Sequence, residues 1–362
     1  MIPNEINYFA TANSCYGRKN MLESNISHLR NLYVITDGYE CIRHIILKHI
    51  KEICIKNDIK IEVIRSSYIP DEYDGIILPE KKIGFVNITM ITPENNLSKA
   101  KFDIKYLHCL PENEVYPVND ELVYKYKKQF LLLFNKAYKK LAEAKNIHDD
   151  WENVYINNFN KRRANEYARQ FVNTHVFRNN LSKPEDGHCC HRFMGCASFD
   201  GSVDFVNNIT ENIENRYFIK GRPGTGKSTF LRKINETALS SGFDTEVYHC
   251  SFDTDSLDMV IIRDLNMCVF DSTAPHEYFP DRKTDKILDF YRNFVNPGTD
   301  EKYKNELSDF ARRYKDNINT AISYMKEARE IGIKAEEHVL SNINENAYKH
   351  CLQTVTDIID CL

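Results

Sequence analysis

The chain has 362 residues, of which 42% are hydrophobic and 28% charged, and its formal net charge at pH 7 is −4. This composition excludes an intrinsically disordered chain, and the balance of charges gives no strong signal for nucleic-acid binding. The length predicts two domains.

The beginning of the chain, MIPNEINYFA, has neither the cationic start nor the apolar run of a signal peptide. No window approaches the roughly 18 apolar residues that a membrane span requires. The 11 cysteines are odd in number and irregularly spaced. We therefore expect a cytoplasmic protein with reduced thiols and no membrane partner.

The two halves of the chain repeat each other at one constant offset, which aligns Tyr33 with Tyr217 and Ser67 with Ser251. Short apolar strands alternate with helices in each copy, and this alternation predicts an α/β fold. We expect two tandem α/β domains, residues 1–180 and 181–362. Each should have a mainly parallel sheet flanked by helices and a long helix late in the half.

The first copy lacks the features of a phosphate-binding loop. In the segment DGYECIRHI, the residues Asp37, Glu40 and Ile42 stand where the second copy has glycines. Two carboxylates would therefore face a bound phosphate. Arg43 stands at the position of the loop lysine and Asn87 at that of a metal-binding aspartate. We expect no nucleotide to bind the first half in this mode.

A long amphipathic helix is predicted late in the first half and again, in the same phase, at the equivalent position of the second half. Its end in the first copy carries the acidic group His148, Asp149, Asp150 and Glu152. This group is either a solvated helix face or a contact with the second half or a ligand. The apolar stripe of the first copy consists of Phe130, Phe134, Ala137, Leu141, Ala144, Ile147 and Trp151.

The boundary between the halves is predicted in the turn-rich residues 178–191. Cysteines and histidines cluster at its end, which raises the alternatives of a metal site and an ordinary linker. The spacing favours the linker, because adjacent cysteines point in different directions. The cluster comprises His188, Cys189, Cys190, His191 and Cys196.

A phosphate-binding loop is predicted in the second half, where GRPGTGKST matches the pattern G-x-x-x-x-G-K-[ST]. It lies between the predicted strand RYFIK and a predicted helix from Lys227 to about Leu239. The glycines let backbone N–H groups turn toward phosphate oxygens at a helix N-terminus. Lys227 would bridge the β- and γ-phosphates, and the Ser228 hydroxyl would ligate Mg²⁺. The predicted ATP-binding residues are Gly221, Arg222, Pro223, Gly224, Thr225, Gly226, Lys227, Ser228 and Thr229.

Three aspartates, Asp253, Asp255 and Asp258, follow the predicted strand TEVYHC. They could accept the hydroxyl proton of a phosphoryl acceptor, and turn or helix-cap chemistry is the alternative. Further predictions along the chain are a short strand over residues 257–262, a helical segment near 284–294 and a long helix over about 300–330.

Asp271 ends the apolar run MCVF, where a carboxylate would hold Mg²⁺ at the edge of a parallel sheet. The acidic residue that follows this position in many ATPases is absent. His276 or Glu277 could orient the attacking water or could simply anchor the loop. Three arginines could steady developing charge or could simply be solvated: Arg222, Arg263 and Arg282.

Through the segments YFIKGRPGTGKST, EVYHCSFDTDSLDMVII and FDSTAPHEYFP, the chain resembles a bacterial family of tandem P-loop ATPases over nearly its whole length. The resemblance implies two fused P-loop domains and ATP binding at residues 221–229. Members often carry an intact loop in both halves, and this sequence departs from that pattern in the first. A mechanism that needs two hydrolysing sites is therefore in doubt.

The sequence thus predicts an Mg·ATP-binding protein, active only in its second half, with slow or partner-stimulated ATP hydrolysis. A small-molecule or nucleotide kinase, with its acceptor near Asp253 and Asp255, is the enzyme alternative. A non-enzymatic, nucleotide-controlled interaction protein is the second alternative. The sequence identifies neither the acceptor nor a protein partner.

Overall fold

A twelve-stranded sheet runs through both halves of the chain and is flanked by helices. The computed structural model describes residues 4–93, 101–110, 121–177, 186–274, 277–343 and 346–362. None of the helices within these ranges is both long enough and apolar enough to cross a membrane.

The first half begins with strands, alternates strands with helices, and ends with two helices in succession. Its strands are β1 (Glu5–Phe9), β2 (Thr11–Ser14), β3 (Gly17–Asn20), β4 (Asn31–Thr36), β5 (Ile61–Arg65), β6 (Tyr73–Leu78), β7 (Ile83–Asn87) and β8 (Asp103–His108). Its helices are α1 (Leu22–Ile26), α2 (Glu40–Lys56), α3 (Glu121–Ile156) and α4 (Lys161–His175).

The second half repeats this order and adds two short helices before its long one. Its strands are β9 (Cys189–Phe193), β10 (Gly195–Ser198), β11 (Gly201–Asp204), β12 (Asn215–Lys220), β13 (Thr245–His249), β14 (Leu257–Ile262), β15 (Met267–Asp271) and β16 (Lys286–Asp289). Its helices are α5 (Val206–Ile209), α6 (Lys227–Ser240), α7 (Phe290–Phe294), α8 (Thr299–Lys302), α9 (Lys304–Asn342) and α10 (Asn346–Asp360).

The strand order reflects the sequence repeat. It is β16-β12-β15-β14-β13-β9-β1-β5-β6-β7-β4-β8, so the six strands of each half mirror those of the other about the β9–β1 junction. Six of the eleven pairings are parallel, and β6 and β14 each run antiparallel to both neighbours. Strand, helix, strand in sequence thus predicted the parallel pairings but not the antiparallel strand within each half.

The junction between the halves lies on an approximate two-fold axis. Phe9 of β1 pairs antiparallel with Phe193 of β9, and these two residues occupy equivalent positions of the sequence repeat. Both rings are fully buried. A buried pairing of equivalent residues joins the two sets of strands into one sheet.

The long helices α3 and α9 pack against each other with their predicted apolar stripes. Phe134, Ala137 and Leu141 of α3 form one buried cluster with Ala321 and Met325 of α9. Small residues at the centre allow the two helices to approach closely, as ridges fit into grooves. The predicted stripe therefore marks the contact between the halves.

The last helix of each half packs on the core of the other half. Helix α4 places Phe171 and Val172 in a cluster with Phe230 of α6, which belongs to the second half. Helix α10 places Cys351 and Val355 against α2 of the first half. The two halves thus exchange their terminal helices reciprocally.

Two local sequence predictions differ from the structure. Within residues 284–294, the stretch Lys286–Asp289 is strand β16, and only Phe290–Phe294 is helical. Parallel pairing of β16 with β12 overrides its weak helical pattern. The cysteine and histidine stretch predicted as part of a linker contributes strand β9, which pairs with β13 and β1.

Candidate phosphate-binding site

The glycine-rich loop of the second half connects β12 to α6, as the sequence predicts. Gly224 and Gly226 adopt φ values of 70° and 78°, which side chains rarely tolerate. Helix α6 begins at Lys227, so its N-terminal N–H groups face the loop. A helix N-terminus behind such a loop is a favourable environment for an anion.

Three predicted ligand residues meet at this loop. The Lys227 ammonium lies 3.4 Å from Oδ2 of Asp271 and donates to the Arg222 carbonyl at 2.8 Å. Both charged side chains are more than four-fifths buried. Ser228 Oγ accepts the Leu257 N–H at 2.9 Å. The hydroxyl and the carboxylate are therefore held in place by backbone and side-chain contacts.

Helix α3 and the turn that follows it, both in the first half, cover the loop. A Cβ atom at Gly224 would lie 2.6 Å from the Glu152 carbonyl oxygen, and one at Gly226 would lie 2.9 Å from the Phe159 ring. The Gly224 N–H also opposes the rise in the pKa of the Glu152 carboxyl, which places the two groups close together. A carboxylate-bearing residue of the first half thus lies against the glycine-rich loop.

The environment of Glu152 is apolar enough to oppose its ionisation. Burial raises the pKa of the Glu152 carboxyl above its ordinary value. His148 lies one turn earlier, with Nδ1 3.8 Å from Glu152 Oε1, and burial lowers its pKa to about 4. His148 is therefore neutral at pH 7, and its ring packs near Phe252 and Tyr314.

The acidic end of α3 thus contacts the second half, which was one of the two alternatives for this group. Lys145 pairs with Asp149 and lies 3.5 Å from Oδ2 of Asp253. Tyr16 donates to the other oxygen of Asp253 at 3.4 Å. Residues of α3, of the β2–β3 turn and of the segment after β13 meet beside the loop.

Of the proposed acceptor aspartates, Asp253 has structural partners for its carboxylate. Besides its contacts with Lys145 and Tyr16, Asp253 accepts the Asp255 N–H at 3.3 Å, the turn chemistry that the sequence left as the alternative. The Asp255 carbonyl accepts from Arg232. A general base needs a carboxylate free to meet an acceptor, so this arrangement weighs against Asp253 in that role but not against Asp255, whose side chain is exposed.

The segment after β15 is fixed by hydrogen bonds. Ser272, which stands where many ATPases have an acidic residue, donates to the Tyr278 carbonyl at 2.8 Å and is fully buried. Glu277 lies 3.5 Å from Lys220 and is half-exposed. The predicted residue His276 lies outside the described residues. The contacts of Glu277 correspond to the loop-anchoring alternative.

The guanidinium groups of the three candidate arginines do not converge on one point, because each is engaged by separate partners. Arg222 pairs with Asp300 at 2.9 Å and lies over the Tyr291 ring. Arg263 follows the end of β14 and pairs with Glu246, and Arg282 donates to the carbonyls of Thr210 and Ile213. Strand β14 runs antiparallel to β15, so Arg263 lies near the start of β15, whereas Asp271 lies at its end.

The equivalent segment of the first half becomes helical at Glu40. Helix α2 begins at Glu40, whereas the offset of the sequence repeat would place its start at Arg43. The extra turn takes the place of the loop. Arg43 donates to Asn87 Oδ1 at 2.8 Å, a contact equivalent to that between Lys227 and Asp271. The two copies thus share the contact but not the loop.

The cysteine and histidine cluster does not converge on a point. Cys190 lies near His188, His191 contacts His249, and Cys189 faces Asn235. Within the described ranges, two groups of at least three side chains have metal-ligand spacing, and neither includes this cluster. They are His148, Asp149 and Glu152, and Glu40, His44 and Asp74.

The second of these groups escaped sequence reasoning. In the alignment of the two copies, Glu40 takes the place of a loop glycine and His44 that of Ser228, and neither replacement by itself indicates a metal site. The spacing of Glu40 and His44 on one helix was an available signal, because residues four apart share a face. Asp74, from another element, became apparent only in the structure.

Comparison with known proteins gives no further assignment. No protein-family model, no curated protein and no solved structure matches the chain.

Proposed function

We propose that the chain binds one Mg·ATP at residues 221–229 and hydrolyses it slowly or on stimulation by a partner. The observation that supports this most is the buried contact between Lys227 and Asp271 at the mouth of a loop with two left-handed glycines. This arrangement brings a cation and a carboxylate together at a helix N-terminus, the groups that a magnesium-bound phosphate requires.

The residues present fit a magnesium nucleotide. Ser228 Oγ accepts one hydrogen bond and retains a lone pair, and the Asp271 carboxylate lies beside Lys227. These two oxygens would hold Mg²⁺, which prefers oxygen ligands and neutralises phosphate charge. Lys227 would exchange its contact with the Arg222 carbonyl for phosphate oxygens.

Slow hydrolysis follows from the residue after Asp271. Ser272 is a weak base, and its hydroxyl is already engaged with Tyr278 as donor and acceptor. Glu277 pairs with Lys220. Glu277 could therefore orient water only after a movement of the segment after β15 had separated it from Lys220. A partner that moves this segment would accelerate turnover.

The non-enzymatic alternative rests on a specific contact. Because Glu152 of α3 and Phe159, which follows this helix, touch Gly224 and Gly226, nucleotide at the loop would alter the packing between the halves. Binding energy would then bias their arrangement without turnover. Tight binding with no phosphate release in the presence of candidate partners would favour this function.

The decisive experiment compares Lys227→Ala with Arg43→Ala, its counterpart in the first half. Lys227→Ala removes a cation from the phosphate site, so we expect ATP affinity to fall by about ten- to a hundredfold. Arg43→Ala should leave it unchanged. Calorimetric titration of the full chain, with melting curves to verify folding, measures both. A stoichiometry near two, or equal losses in the two variants, would contradict the proposal.

Asp271→Asn should weaken ATP binding in Mg²⁺ far more than ATP binding in a chelator, because the carboxylate's proposed role is to hold the metal. Titrations of ATP with and without Mg²⁺ measure this ratio. If the ratio is the same in the variant and in the unmodified protein, the metal assignment is wrong.

Glu152→Gln should tighten ATP binding by about three- to tenfold, since it removes a negative charge beside the phosphate position. Glu336 of α9 stands at the equivalent position of the other copy. Glu336→Gln is therefore the matched control and should leave affinity unchanged. Weaker ATP binding in Glu152→Gln would show that the carboxylate assists the site.

A further inference from the structure

A compact group of potential metal ligands lies in the first half, where the second half has its phosphate loop. Glu40 and His44 lie one turn apart on α2, and Asp74 lies on the neighbouring strand β6. One ligand atom from each lies within 4.8 Å of the other two. A tetrahedral ion with ligands at about 2.1 Å holds them about 3.4 Å apart, so small side-chain rotations suffice to close the site.

Two of the three side chains are buried and incompletely satisfied. The side chain of His44 is 5% exposed and that of Asp74 is 1% exposed. Among the described residues, neither Nε2 of His44 nor Oδ1 of Asp74 has a hydrogen-bond partner. Unpaired buried polar atoms are costly, and a bound ion would satisfy both.

The surroundings of His44 suit a metal ligand. Its Nδ1 lies 3.6 Å from Glu72 Oε2, while its Nε2 lies 4.0 Å from Glu40 Oε1. A carboxylate on one ring nitrogen favours a proton there and leaves a lone pair on the other, the arrangement found around metal-bound histidines. Nε2 is therefore the ligand atom.

The net charge of the group and its access to solvent also suit the binding of a divalent cation. Glu40, Asp74 and Glu72 carry three negative charges, and Arg18, 3.5 Å from Asp74, carries one positive charge. The remaining charge of −2 matches a divalent cation. The Glu40 side chain is 47% exposed, so an ion can enter from solvent on that side.

We infer that Glu40, His44 and Asp74 form a binding site for a divalent transition-metal ion of the Zn²⁺ class. One imidazole and two carboxylates, with a position left for water, are a donor set that this class accepts. In the alignment of the two copies, Glu40 and His44 correspond to Gly224 and Ser228. The first copy thus offers a cation site where the second offers an anion site.

The test uses the reduced full-length chain without nucleotide, so its result does not depend on the proposed ATP site. Co²⁺ and Zn²⁺ are titrated separately, with equilibrium dialysis to count bound metal and absorption spectra to report Co²⁺ ligands. Glu40→Gln is the main variant because its side chain is half-exposed and should not affect folding. His44→Gln and Glu72→Gln follow. His148→Gln, in the other group of three, is the matched control.

We expect one metal ion per chain, with weak visible Co²⁺ bands and no intense thiolate band. Affinity should fall by about a hundredfold in Glu40→Gln and by about tenfold in Glu72→Gln. It should be unchanged in His148→Gln. Thiolate bands, an absence of stoichiometric binding, or full affinity retained in Glu40→Gln would each overturn the assignment.

Discussion

Residues 182–362 expressed alone should fail to form a stable domain, because this fragment lacks helix α4. Phe171, Val172 and Val176 are nearly fully buried in the core of the second half. Burial of each contributes about 1.5–3 kcal/mol, and their sum is comparable to a typical domain stability of about 5–15 kcal/mol. Thermal unfolding followed by circular dichroism measures the loss.

A longer fragment and a complementation experiment provide the controls. The fragment 161–362 restores α4 and should melt at a higher temperature than 182–362. Co-expressed chains 1–180 and 182–362 should associate, since each carries a helix that packs on the other. If 182–362 alone melts at the same temperature as the full chain, the exchanged helices do not stabilise the fold.

Arg192→Met should destabilise the full chain by about 3–5 kcal/mol, because it leaves the largely buried Glu62 carboxylate without its cationic partner. Arg192 of β9 is 2% exposed and lies 2.7 Å from Glu62 of the first half and 3.4 Å from Glu246 of the second. Its guanidinium also lies 4.0 Å from the centre of the Tyr8 ring. One side chain thus links charges of both halves at the junction.

Arg312→Met is the matched control for this measurement. Arg312 pairs with Asp309 and Asp316 on α9 but is 64% exposed, so its loss should change stability by less than about 1 kcal/mol. Urea unfolding of both variants gives the two values. Equal losses of unfolding free energy in the two variants would mean that burial at the junction does not increase the contribution of Arg192 to stability.

Burial of Glu246 opposes its ionisation, yet Arg263 and Arg192 hold the pKa of this carboxyl below its ordinary value. A lowered pKa contributes stability at neutral pH, and this contribution is lost as the pH falls through the folded-state value. Part of the effect of Arg192→Met should accordingly disappear in acid.

Local features of the fold were predictable from the sequence because neighbouring residues determine them. Strand β14 was predicted at its observed bounds, and α6 was predicted to within one residue. The loop geometry follows from Gly224 and Gly226, since glycine adopts positive φ at little cost. The sequence repeat recurs in the strand order of the sheet. The division into domains 1–180 and 181–362 remains a prediction.

Only the tertiary structure decided which half each terminal helix joins. The periodicity of α4 specifies an apolar face but not the surface that covers it. Helix α3 has 36 residues and is therefore about 54 Å long, which carries the chain past the junction before α4 begins. The same length brings Glu152 to Gly224, and folding of the sheet brings Asp74 to His44. These contacts join residues that are far apart in the sequence. They depend on the lengths and packing of whole elements, which the hydrophobic pattern and the residue spacing along the chain do not specify.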